Sequence, residues 1–283
     1  MVCLHFYEAL DDGPRFDRAD LDDYLAALTT IELSGSTGDA YRSGRWRNND
    51  TGATCHFDLG TVPVEEDHLH PPTAYDGWRD IGLTIHVPLA GPHWLCVETL
   101  QWVESLLLQF PHLKPLDTED TKHETGEGPG PWHRPRVLAS WEKLHQVQNQ
   151  NRTDLYRMGR LASVCLWRYR RERARARLAH PELLWPDALV VLDQVDHCAR
   201  SAVLLPDPMV PMALPPVELV VTGSKRSALV LPADTLSAVG GEALPIGQSQ
   251  RLLPNKAIAQ ALAKAAALPV SRFRALGDYD WTD

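Results

Sequence analysis

Near the middle of the chain lies the stretch DTEDTKHETGEGPGPWHRP, residues 117–135, which is charged, rich in glycine and proline, and without apolar periodicity. Such a segment has no continuous apolar face to offer a core, and its glycines and prolines interrupt regular hydrogen bonding, so it reads as a connection. It divides the 283 residues into two modest modules, 1–118 and 137–283, with 119–136 as a flexible linker.

Ahead of the linker, Val2, Leu4 and Phe6 alternate with Cys3, His5 and Tyr7, the period of two that marks a strand with one buried side. A helix follows. Asp17 is its expected N-cap, Asp20, Asp22 and Asp23 favour its positive N-terminal end, and Leu21, Tyr24, Leu25, Leu28 and Ile31 make the apolar face. Residues 41–60 read as a hairpin, with turn residues 48–52 and Ala53, Cys55, Phe57 and Leu59 alternating with Thr54, His56 and Asp58. A further strand is predicted at 83–89 and a helix at 95–110, apolar through Cys96, Leu100, Val103, Leu107 and Phe110.

Beyond the linker, residues 138–178 predict one long or two consecutive helices, and the β-branched runs ALVVLDQV, SAVLLP, VELVVTG and SALVLP predict strands. The segment NKAIAQALAKAAAL predicts a helix capped by Asn255. The expected class is α+β: two modules, each a largely antiparallel sheet with helices on one face, joined by the Gly/Pro-rich linker and a long basic helix.

A net charge of −9 argues against general nucleic-acid binding, which depends on basic residues that displace counterions from phosphates. The N-terminus carries no basic region followed by an apolar run, and no window approaches the length of a membrane span, so the expectation is a cytoplasmic protein with no membrane attachment. Cys3, Cys55, Cys96, Cys165 and Cys198 are odd in number and lack C-x-x-C spacing, which fits reduced, mainly packed thiols. No nucleophile elbow, phosphate loop, dinucleotide fingerprint or H-E-x-x-H is present, and no cofactor is expected; GSKRS (223–227) lacks the helix start of a phosphate loop and reads as a hairpin tip.

Four groups of residues could carry function. EEDHLHPP (65–72) places Asp67, His68 and His70 together, a ligand set suited to zinc, although its acids and prolines also fit a solvated loop. Strand parity puts His5, His56 and His86 on the sides opposite their apolar neighbours, with Asp58 sharing the side of His56; adjacent strands would gather them for metal binding or acid–base work, and a simple surface face is the alternative. The run RMGRLASVCLWRYRRERARAR forms a helical stripe of Arg157, Arg160, Arg168, Arg171 and Arg175 beside an apolar arc, with Arg170, Arg173 and Arg177 making its last turns basic all round. Trp46, Trp78, Trp94, Trp132 and Trp185 fall at turns, strand ends or loops, where tryptophan together with arginine is a preferred interface anchor.

Together these features predict a non-catalytic protein-binding protein, an adaptor or immunity-type inhibitor, meeting its protein partner through Trp46, Trp78, Trp94, Arg168, Arg170, Arg171 and Arg173. The alternative is a metal-dependent hydrolase built on Asp67, His68 and His70 or on His5, His56 and His86. A third reading is a nucleic-acid accessory protein gripping phosphates through the arginine helix, which the acidic whole disfavours.

Overall fold

The computed structural model describes residues 1–10, 16–36, 39–60, 75–121, 128–150, 152–205, 211–222, 228–237, 242–244, 249–252, 260 and 264–283. EEDHLHPP, GSKRS and most of the Ala-rich segment lie outside them. The chain forms two units: Met1–Leu89 with Leu95–Asn151, and Ala90–Trp94 with Arg152–Asp283.

The first unit contains β1 (Val2–Ala9), α1 (Arg18–Ala27), β2 (Ile31–Leu33), β3 (Tyr41–Arg47), β4 (Thr54–Gly60), β5 (Trp78–Val87), most of α2 (His93–Gln109), β6 (Leu113–Asp117), α3 (Thr118–Thr121) and α4 (Arg134–Gln150). Its sheet runs β2-β3-β4-β5-β1-β6 with every pairing antiparallel. The alternation read from the sequence decides the inner face: Val2, Leu4 and Phe6 of β1, Phe57 and Leu59 of β4, and Leu83, Ile85 and Val87 of β5 are all buried. Helix α2 covers that face, its Trp102 stacking on Trp46 at 5.6 Å and tilting onto Phe57 at 5.4 Å. Burying an indole of about 200 Å² contributes roughly 5 kcal/mol in transfer terms, so this aromatic group is a main anchor of helix on sheet. Gly44 lies opposite Phe57, and a Cβ there would sit 2.2 Å from the ring's Cζ, so only glycine lets the ring cross the strand.

Asp17 caps α1 as predicted, accepting a hydrogen bond from Ala19 N at 2.8 Å. The helix ends earlier than its apolar pattern implies: Leu28 is the C-cap and Ile31 already belongs to β2. Asp22 points inward and meets Arg42 of β3 at 3.1 Å, a buried ion pair that tethers α1 to the sheet. Helix α4, placed after the linker by the sequence, groups with the first unit, where Trp141 donates to the Pro88 carbonyl at 2.7 Å.

The second unit contains β7 (Tyr156–Arg157), α5 (Arg160–Ala179), β8 (Ala188–Asp193), β9 (Cys198–Leu205), β10 (Met212–Leu214), β11 (Leu219–Thr222), β12 (Leu229–Pro232), α6 (Asp234–Ser237), β13 (Glu242–Ala243), β14 (Gln250–Leu252), β15 (Phe273–Leu276) and β16 (Trp281–Thr282). The 138–178 region is therefore two helices with a short strand between them. The four β-branched runs fall on β8, β9, β11 and β12, and Val203, Leu205, Met212, Leu214, Val220 and Leu236 form one cluster of the core. The α+β class holds. Strands β10, β14 and β13 form a separate antiparallel sheet, whereas the seven-stranded sheet of this unit is mixed: β9 pairs parallel with β11 and β7, and β7 pairs parallel with β16. Among the described residues no helix is long and apolar enough to cross a membrane.

Candidate functional site

Antiparallel register turns the parity of the first unit's strands into a grid. On the sheet side opposite the buried residues, Arg45, His56, His86 and Cys3 form one row across β3, β4, β5 and β1; Ser43, Asp58, Thr84 and His5 form the next. Residues directly opposite or diagonal across such rows approach within side-chain reach. Four contacts result. His86 Nε2 lies 2.5 Å from Asp58 Oδ2, and His86 Nδ1 lies 3.4 Å from Cys3 Sγ. The Tyr41 hydroxyl donates to Asp58 Oδ1 at 2.7 Å, and Thr84 Oγ1 sits 3.1 Å from His5 Nδ1.

The electrostatics follow from these pairings. Burial alone would lower His86, but the hydrogen bonds to Asp58 and Cys3 and the charge of Asp58 outweigh it and hold the imidazole up to about 9. Burial would raise Asp58, and here too the hydrogen bonds from His86 and Tyr41 win, keeping the carboxyl below its ordinary range. Tyr41, donating a hydrogen bond to a carboxylate, keeps its proton more firmly and is pushed up to about 12. His5 moves the other way, lowered chiefly by burial against the pull of Asp80. The two rows thus hold an imidazolium–carboxylate pair at neutral pH, with the Cys3 sulfur beside the imidazole's other nitrogen.

The parity reading of His5, His56, His86 and Asp58 on one side is visible in this grid, but the three imidazoles do not share one centre. His86 is bonded to Asp58 and Cys3, His5 to Thr84, and His56 is exposed at the row's side. Among the described residues no group of three His, Cys, Asp or Glu side chains is placed to hold a metal ion. Asp67, His68 and His70 lie outside the described residues. Cys3 is the member the sequence reading missed. Its alternation with Val2 and Leu4 put it on the polar side, and the signal lay in its place directly opposite His86.

Two of the expected aromatic anchors are corrected by burial. Trp46 is 7% exposed because its position on β3 points into the core against Trp102, and Trp94 is 2% exposed, packed beside Trp281 in the second unit. Trp185 is likewise buried, while Trp78 and Trp132 are partly exposed, the latter donating to Glu104 at 3.2 Å.

Helix α5 sorts the arginines. Its inner side buries Ser163, Leu166, Tyr169 and Ala176, and Tyr169 donates to the Pro186 carbonyl at 2.7 Å. Arg170 and Arg173 occupy positions flanking that side, so they do not project from the fold. Arg170 pairs with Asp278 at 2.9 Å and lies over the Trp94 ring, and Arg173 pairs with Asp187. Arg168, Arg171 and Arg175 face outward, joined at the two ends of the same stripe by Leu161, 77% exposed, and Leu178, 85% exposed. Arg171 stacks over Trp167 at 5.6 Å.

No protein-family model matches this chain, and no curated protein or solved structure matches it either.

Proposed function

We propose that the protein acts by binding another protein, as an adaptor or immunity-type inhibitor, and that the outer stripe of α5 is the surface it presents. The observation that supports this reading is the composition of that stripe: Leu161, Arg168, Arg171, Arg175 and Leu178 follow one another at spacings of seven, three, four and three, all exposed. Apolar side chains on an exposed helical stripe are left in water unless something covers them, and arginine is the charged residue most used at interface centres. The stripe concentrates positive charge in a chain of net charge −9, so the complementary partner is an acidic protein surface carrying apolar contact points.

Affinity purification from the native host tests this directly, comparing the wild type with Arg168→Glu/Arg171→Glu/Arg175→Glu. An acidic protein recovered in stoichiometric amount with the wild type and lost with the variant supports the reading. Recovery of no stoichiometric protein, recovery that the variant leaves unchanged, or recovery that nuclease treatment abolishes would overturn it.

A further inference from the structure

Protein recognition through α5 leaves the polar sheet face of the first unit unused, and that face holds a nucleophile, a base and a carboxylate in series. Cys3 Sγ is 3.4 Å from His86 Nδ1, His86 Nε2 is 2.5 Å from Asp58 Oδ2, and Asp58 Oδ1 is fixed by the Tyr41 hydroxyl at 2.7 Å. Each ring nitrogen of His86 thus has a separate task, one toward the sulfur and one toward the anion that orients the ring and stabilises its charged form. The three side chains come from adjacent strands whose register fixes their order. Rigid elements of this kind hold a constellation more closely than loops do.

Exposure separates Cys3 from most other thiols of the chain. Cys55, Cys96 and Cys165 are buried, and burial raises Cys55 and Cys96; Cys3 is half-buried, open to a reagent yet partly desolvated. Only Cys198 shares that exposure.

We propose that Cys3 is a nucleophile that accepts an acyl group from an ester or thioester, with His86 as its base and Asp58 as the residue that positions His86. In the first step the neutral form of His86, whose share grows as pH rises toward 9, takes the thiol proton at Nδ1 while the Sγ–carbonyl carbon bond forms; the acyl carbon–oxygen or carbon–sulfur bond then breaks and that proton passes from Nδ1 to the departing alkoxide or thiolate. In the second, a water oxygen attacks the Cys3 thioester. The carboxylic acid leaves, one water proton returns through His86 to the sulfur, and nothing is oxidised or reduced. All the groups named belong to the first unit, so the activity is separable from recognition by α5.

The full-length protein is treated with p-nitrophenyl acetate, nitrophenolate release is followed, and the acetylated cysteine is located by mass spectrometry. The expected result is acetylation at Cys3 at least about 10-fold faster than at Cys198, unchanged by Cys198→Ser, and slowed on the order of 100-fold by His86→Asn. Asp58→Asn shifts the pH profile of Cys3 acetylation, which a merely structural loss would not move. If His86→Asn does not fold, the comparison of Cys3 with Cys198 in the wild type decides alone. Cys3 reacting no faster than Cys198, or a folded His86→Asn protein reacting at the wild-type rate, overturns the proposal.

Discussion

Replacing Asp58 with Asn removes the charge that holds His86 in its raised state while keeping the shape of the side chain. A rise from 6.5 to about 9 is worth, at about 1.4 kcal/mol per unit, at most about 3 kcal/mol of preferential stabilisation of the folded state. The sign is fixed by the direction of the shifts. Because the folded value of His86 lies above its unfolded one, its contribution is fully present below pH 6.5 and disappears as pH rises toward 9. Asp58, depressed in the fold, contributes above its ordinary value of 3.8 and loses that contribution as pH falls through its folded value. The pair therefore contributes most between these limits. Nuclear magnetic resonance titration of the His86 ring, with denaturant unfolding of the first unit at pH 6 and pH 9.5, measures both quantities. In the wild type the ring titrates near 9 and stability falls by up to about 3 kcal/mol across that interval. In Asp58→Asn burial acts without its main counterweight, the ring titrates lower than in the wild type, and that part of the pH dependence shrinks. A wild-type His86 titrating near 6.5, or equal pH dependence in the two proteins, refutes the reasoning.

Other perturbations test the scaffold. Gly44→Ala forces a Cβ into the Phe57 ring and costs about 1–3 kcal/mol by denaturant unfolding, whereas the same change at the open Gly159 costs less than about 1 kcal/mol. Trp102→Ala removes the stack on Trp46 and the contact with Phe57, with an expected loss of about 3–5 kcal/mol and a red shift of tryptophan emission. Arg42→Ala leaves the buried Asp22 with only Arg18, at 3.4 Å, as its cation and costs about 1–3 kcal/mol, while an exposed change such as Arg45→Ala costs under about 1 kcal/mol.

Much of this architecture was legible in the sequence because side-chain period maps directly onto burial. Alternation in residues 2–7 and 53–59 identified both the strands and the sides they bury, and with them the polar face carrying His5, His56, His86 and Asp58. Register was not legible. It depends on which strands become neighbours across tens of residues, and it alone decides that His86 meets Cys3 on one side and Asp58 on the other. The tryptophans misled because proximity to a turn does not determine direction: Trp46 sits one residue before the end of β3 yet points inward. Arg170 and Arg173 misled for a related reason, since their partners Asp278 and Asp187 are contributed by distant or irregular segments with no periodic signal. The parallel pairing of β7 with β16 is likewise invisible locally, being two residues long on each strand and separated by more than a hundred positions.

Recognition through the outer side of α5 is tested most directly by placing a photo-crosslinking residue at Leu161, at Leu178 and, as a comparison, at Leu108, which is 84% exposed on α2. After irradiation in the native host, the expected result is one shared protein adduct from positions 161 and 178 that is absent from 108. No adduct from either α5 position, or the same adduct from all three, contradicts it.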